Sequence, residues 1–339
     1  MVRRTTIVLG TSLVLVAGCA STPDSTGDES GSPSATVAGN GTVYTSLWDT
    51  ETSARTITGY PIGADGSIGA ATPLLSGPAD DTSFPGVVDG VGPLALSGMF
   101  TDYWTTEVEV RSEGQVAATV QAPRWCGGEG LAYNLCTLLD GTRLARTTEL
   151  GRDPVSGEGP TEGSIIVSSL TDGATIAEYG PFADLSMLLG TGSPDEVLLV
   201  TTPAQSAEDP SVPSTVIRLD VRDGSTSELG DSPAGWVPLC PIGADSVLGF
   251  TSDGALRTSV VGPAQVADLT WDDQDSLVGC SADGRFLYVQ RIPQPPTEET
   301  EDTEPANPST ALERITLADG SRSQVLVLPP GEVAGPTTR

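Results

Sequence analysis

Sulfur and carboxylate are the two side-chain chemistries this sequence offers. Its 339 residues include 5 cysteines, 45 acidic residues and 16 basic ones, with no histidine and no lysine. Without imidazole there is no Ser-His-Asp triad, no histidine general base and no imidazole metal ligand. Without lysine there is no Schiff base and no phosphate-loop amine. Thiols can be acylated or paired, and two carboxylates can act as acid and base in glycosidic cleavage. Asp102 beside Tyr103-Trp104, and Glu129 near Trp125, are the candidates for that task. Sugar pockets are lined with aromatics, and at 5% of this chain aromatics are scarce, which counts against it. No catalytic residue, cofactor or metal ligand is assigned. Asp272-Asp273-Gln274-Asp275 and Asp80-Asp81 lack the alternating oxygen spacing of a calcium loop and read as solvated turns.

The first cysteine stands in a particular setting. Arg3-Arg4 precede an apolar stretch, Ile7–Val16, which is shorter than the roughly 20 residues a membrane span needs. It has the length of a signal-peptide core. Cys19 follows Val16-Ala17-Gly18 directly, which resembles the lipobox of bacterial lipoproteins. That resemblance implies cleavage before Cys19, diacylglycerol on its sulfur, acyl chains such as palmitate, and anchoring at the outer face of the cell membrane. Each buried CH₂ of an acyl chain adds roughly 0.8 kcal/mol, so two or three chains hold where one does not. Residues 20–39 carry almost no large apolar side chain and read as a disordered tether with an r.m.s. span of about 25 Å. The sequon Asn40-Gly41-Thr42 reads as a turn rather than a glycan site.

Four cysteines remain, Cys126, Cys136, Cys240 and Cys280. An even number in an exported domain suggests disulfides, with three possible pairings. Cys126–Cys136 and Cys240–Cys280 are preferred. Cys240 and Cys280 each stand just before an Asp-containing turn, at matching places in neighbouring units. Zinc is disfavoured, since there is no histidine and no Cys-x-x-Cys.

The elements that position these groups read as strands. Glycine (40) and proline (27) are frequent and break the chain into short runs. Thr42–Trp48, Glu107–Val110, Ser164–Val167, Glu196–Val200 and Arg285–Val289 have strand length and pattern. No helical period competes. A unit recurs about every 40–50 residues, the size of a four-stranded blade. It opens on an Asp turn before a strand, as at Asp140-Gly141, Pro194-Asp195, Ala244-Asp245 and Asp283-Gly284. It closes around a second Asp-Gly, as at Asp172-Gly173, Asp223-Gly224, Asp253-Gly254 and Asp319-Gly320. Ser281-Ala282-Asp283-Gly284-Arg285-Phe286-Leu287-Tyr288 resembles the blade turn of TolB-like and WD-repeat β-propellers. The expected fold is therefore all-β, a propeller of about six four-stranded blades; seven blades or two β-sandwich domains are the alternatives. The ring should close with residues 41–48 beside residues 312–328.

The boundaries that follow are a signal peptide (1–18), the lipidated Cys19 with its tether (19–40), the propeller (41–330) and a C-terminal tail (331–339). An acidic, Pro-rich insert, 293–310, is expected to be a disordered loop, and a smaller one spans Pro203 to Pro213. Trp48, Trp104, Trp125, Trp236 and Trp271 are expected between blades rather than as sugar platforms. A net charge of −29 excludes nucleic acid and opposes anionic lipid unless a tether holds the protein there. The expected function is a non-catalytic binding or scaffold module for an envelope protein or extracellular ligand. A carbohydrate-active enzyme using paired carboxylates and a solute-binding lipoprotein are the alternatives.

Overall fold

The computed structural model describes residues 40–78, 83–91, 94–101, 107–112, 115–121, 136–147, 162–203, 209, 211–252, 256–269, 271, 275–291, 309–329 and 331–338. They fall within one compact unit, Ala38–Arg339, and none of them is helical.

The strands form successive antiparallel sheets. The first sheet holds β1 (Thr42–Asp49), β2 (Ala54–Pro61) and β3 (Thr72–Pro78). The second is β4 (Ser83–Val91), β5 (Leu94–Thr101), β6 (Glu107–Ser112) and β7 (Gln115–Gln121). The third is β8 (Cys136–Leu138), β9 (Arg143–Thr147), β10 (Glu162–Ser169) and β11 (Thr175–Ala183). The fourth is β12 (Leu185–Gly190), β13 (Glu196–Thr201), β14 (Thr215–Asp220) and β15 (Thr226–Asp231). The fifth is β16 (Trp236–Ile242), β17 (Ser246–Ser252) and β18 (Leu256–Val261). The sixth is β19 (Asp275–Cys280), β20 (Phe286–Arg291), β21 (Thr310–Thr316) and β22 (Arg322–Leu328). The last strand, β23 (Glu332–Thr338), returns to the first sheet, in the order β23-β1-β2-β3.

The architecture is a β-propeller. Strands β4, β8, β12, β16, β19 and β23, each at one edge of its sheet, touch one another in a closed cycle and are the inner strands of the ring. The expectation of about six four-stranded blades is corrected in strand number: five sheets have four strands and the fifth sheet in chain order has three. Beside β18 the fourth place is taken by irregular chain. Thr258 N–H donates to Leu269 O (3.2 Å), and the Thr258 hydroxyl donates to Ala267 O (3.0 Å). Gly262-Pro263 at the turn out of β18 cannot continue a ladder, because proline lacks the donor.

The expected closure is also corrected. β1 pairs with β23, not with residues 312–328, which form β21 and β22 of the sixth sheet. The stretch read as a tail, 331–339, thus supplies the inner strand of the first sheet. Gly335-Pro336 hid it, since both residues are poor in strands. The register shift between Val43 and Thr45 accommodates them, and the unpaired edge of an inner strand tolerates a missing N–H.

Burial explains why the central strands are apolar on both faces. Along β13, Val197 and Leu199 join a cluster with Leu139, Ile165 and Val167 of the third sheet. Leu198 and Val200 point the other way, into a cluster with Trp236, Val247 and Val261 of the fifth. In β20, Leu287 and Val289 pack with Leu239 and Leu248, while Phe286 and Tyr288 pack with Val43 and Ile62 of the first sheet. Successive side chains leave a strand on opposite faces, so a strand between two neighbours must be apolar at every position.

Cys240 on β16 and Cys280 on β19 are joined by a disulfide with Cα atoms 6.0 Å apart. It ties adjacent inner strands across 40 residues of sequence. Reducing it should destabilise the ring by about 4 kcal/mol on chain-entropy grounds. Urea unfolding of wild type and Cys240→Ser/Cys280→Ser measures this: the variant should be less stable by about that amount without reductant, and reductant should close the gap. Equal stability without reductant would place the effect elsewhere.

Candidate functional site: the seam and the two ends of the ring

The two ends of the ring differ. The chain enters β1 at Asn40, beside the turn from β19 to β20: Ala282 N–H donates to Asn40 O (2.8 Å), and Asp283 N–H to Asn40 Oδ1 (3.0 Å). The turn before β9 meets the turn before β13, where the Arg143 guanidinium donates to Pro194 O (2.9 Å). A Cβ on Gly284 would strike Ile242 Cα at 2.8 Å, so the end of β16 lies here too. Gly284 has φ +66°, so this position needs glycine twice over. Contacts thus place the Asp turns of four sheets, with Asn40, at one end of the ring. The far end carries the β1–β2 hairpin and the starts of β16, β19 and β23.

At the Asp-turn end the aspartates organise their own backbones. Asp140 accepts from Thr142 N–H (2.7 Å), the Thr142 hydroxyl (2.7 Å) and Arg143 N–H (2.9 Å). Asp283 accepts from the Ser281 hydroxyl (2.6 Å) and Arg285 N–H (3.1 Å). Burial pushes both carboxyls up, but these hydrogen bonds and the adjacent arginines outweigh it and hold them below the ordinary carboxylate value. Asp220 is held at about 2, chiefly by hydrogen bonding to Arg222. Asp65-Gly66, between β2 and β3, is a further turn of this kind that the sequence reading missed. Asp253-Gly254, read as closing a unit, lies outside the described residues.

A clamp crosses the seam between the first and sixth sheets. Three consecutive carbonyls of the β2–β3 loop are captured by side chains of the sixth sheet. Arg285 donates to Ala64 O, Arg314 to Asp65 O, and the Tyr288 hydroxyl to Gly66 O (3.0 Å). Both guanidiniums lie over the Phe286 ring, at 5.2 and 5.0 Å. Burial raises the Tyr288 hydroxyl well above its ordinary value, so it stays a donor. Nearer the far end Glu332 of β23, 6% exposed, accepts from the Thr45 hydroxyl. Gln290 donates to Thr310 Oγ1 (2.8 Å) and accepts from Ala334 N–H (2.9 Å).

The far end exposes apolar surface. Leu47 is 36% exposed and Trp48 56%, at the end of β1. Val237 near the start of β16 is 40% exposed and Val333 near the start of β23 is 53%. Asp49 fixes the hairpin that carries Trp48, accepting from Glu51 N–H (2.9 Å) and the Thr52 hydroxyl (2.7 Å).

Several expectations are settled residue by residue. Trp236 and Trp271 are buried at sheet boundaries, as expected; Trp48 is not, which corrects its reading as packing. Its neighbours Thr45 and Tyr44 are core, so nothing in the run Val43–Trp48 marks where burial stops. Asp275, expected on a solvated turn, has a side chain 1% exposed and pairs with Arg322 (2.9 Å), whose guanidinium lies over Trp271. Asn40 is 7% exposed and fully engaged, consistent with a turn rather than a glycan site. Cys136 is disulfide-bonded, with a partner beyond the described residues, where Cys126 also lies. Cys19, Asp80, Asp81, Asp102, Trp104, Trp125, Glu129 and residues 293–308 of the insert lie outside the described residues; Thr310, read as the end of that insert, instead opens β21.

No protein-family model and no curated protein matches the chain. Among solved structures, TolB from Acinetobacter baumannii is similar with a TM-score of 0.52 at 11% identity. The match covers 88% of this chain and 66% of that one, so the chain spans just under two thirds of that protein's length. An oligogalacturonate lyase from Vibrio parahaemolyticus is similar with a TM-score of 0.42 at 11% identity, over 86% of this chain and 78% of that one. At such identity the TolB likeness shows the fold alone.

The Asp283 turn gives a signed pH test. Its folded carboxyl is held below the ordinary value of 3.8, so its stabilisation is complete above that value and is lost as pH falls through the folded one. Asp283→Asn should therefore be less stable than wild type at pH 7, by about 1–2 kcal/mol for lost charge-assisted hydrogen bonds. Urea midpoints measured from pH 7 down to pH 2 should converge. A gap that stays constant or widens in acid would refute the role given to the ionised carboxylate.

Proposed function

We propose that this chain is a lipid-anchored, extracytoplasmic β-propeller that binds a partner and performs no catalysis. The observation that supports binding is the far end of the ring. Leu47, Trp48, Val237 and Val333 stand exposed there on a frame whose central strands are closely packed. Apolar side chains held out on rigid strands favour association over a reaction, since none of them can move a proton or attack a bond. The Cys240–Cys280 disulfide fits an oxidising compartment, in keeping with an exported chain. The anchor is read from Val16-Ala17-Gly18-Cys19. The tether would join the domain at Asn40, leaving the apolar end directed away from its attachment point. The candidate carboxylates of the enzyme reading lie outside the described residues, and no described geometry favours that reading.

Fractionation in a host with lipoprotein-processing enzymes tests the placement. Wild type should enter the detergent phase, with mass spectrometry showing a diacylglycerol-modified Cys19 at the mature N-terminus. Cys19→Ala should stay in the aqueous phase. A variant that still enters detergent, or a wild type that keeps its leader, would overturn it.

A further inference from the structure

We infer that the far end of the ring docks a cationic polypeptide segment bearing an apolar side chain, which seats against Trp48 and Val333. This rests on the binding function proposed above and adds the chemistry of the partner. The position follows from register. Ser46 pairs with Val333, so Trp48, two residues further along β1, lies on the same face as Val333 at one end, while Leu47, which pairs with Glu332, is exposed on the other face. Trp48 stands opposite Arg55, at the hairpin that Asp49 fixes. Val237 and Ser276, exposed on the inner strands β16 and β19, carry this uncharged surface on around the ring.

Charge selects the occupant. Asp49 and Glu51 are exposed beside Trp48, and Asp209 and Asp231 are exposed on the same end of the fourth sheet. Among the described residues, the cations at this end, Arg55, Arg257 and Arg291, are already engaged. The whole chain carries −29, so a second copy, a nucleic acid and an anionic lipid surface are all repelled. A polypeptide with arginine or lysine around an apolar residue satisfies both the apolar surface and its acidic rim. An aromatic anchor ringed by complementary charge is the usual form of such a contact. A sugar would stack on Trp48 but would leave the valines without a counterpart.

Fluorescence anisotropy with labelled 12-residue peptides tests this on the full chain in detergent. One peptide alternates arginine with leucine; in the second serine replaces leucine; in the third glutamate replaces arginine. The first should bind, and the other two at least about tenfold more weakly. Binding should weaken as salt rises from about 0.05 to 0.5 M, where exposed charges are screened. Trp48→Ser/Val333→Ser should lose about tenfold or more, while Val116→Ser, an exposed apolar residue on β7, should not. All three sites are exposed, and matching melting temperatures confirm folding. Equal binding by the double variant, equal binding of the glutamate peptide, or no binding of the first peptide would each overturn the inference. So would a Trp48-dependent fluorescence shift with phosphatidylglycerol vesicles in its place. None of those results touches the binding function itself, which fails instead if the protein turns over a substrate.

Discussion

A ring of sheets closes on itself when its two chain ends meet, and here they meet in one sheet. The C-terminal β23 is the inner strand and the N-terminal β1 lies next to it. Among the described residues no covalent link spans that joint. Backbone pairing, the Glu332 and Gln290 hydrogen bonds, Asn40 and the three-carbonyl clamp hold it instead. Every other sheet is bonded in sequence to both neighbours, so the joint is where the cooperativity of the ring is decided. Nearest-neighbour assemblies gain their stability from each interface, and losing one exposes two apolar faces at once.

The same logic governs the rest of the molecule. Strands such as β13 and β20 serve two interfaces each, and their side chains are buried whichever way they point. The Asp turns make the sharp reversals between them without help from outside, because each carboxylate satisfies nearby amide or hydroxyl donors. A chain this acidic can therefore place aspartates at one end of the ring as structural elements, and leave the other end free to present apolar groups. The disulfide adds a covalent tie between two adjacent inner strands.

Much of this was legible in the residues. The apolar runs of β13 and β20 and the Asp turn ahead of each showed the blade unit, because burial on both faces leaves no polar position to confuse the pattern. The matching places of Cys240 and Cys280 showed that they could meet. Three features were not legible. Gly335-Pro336 disguised the closing strand, since propensity speaks against a strand that tertiary pairing imposes. Trp48 reads like the core residues before it, and only the fold shows that β1 runs past the start of β23. Asp275 looked solvated because its partner, Arg322, is distant in sequence and reaches it only in the fold.

The ring depends most on its closing strand. A chain ending at Leu328 keeps every other described strand and loses β23 alone. Chemical unfolding followed by tryptophan fluorescence should show it far less stable than the full chain, with a lower midpoint or a broad, non-cooperative transition. Adding back a synthetic peptide of residues 329–339 should recover part of the loss. A truncated chain that unfolds with the midpoint and cooperativity of the full protein would contradict the claim that pairing of β23 with β1 holds the ring together.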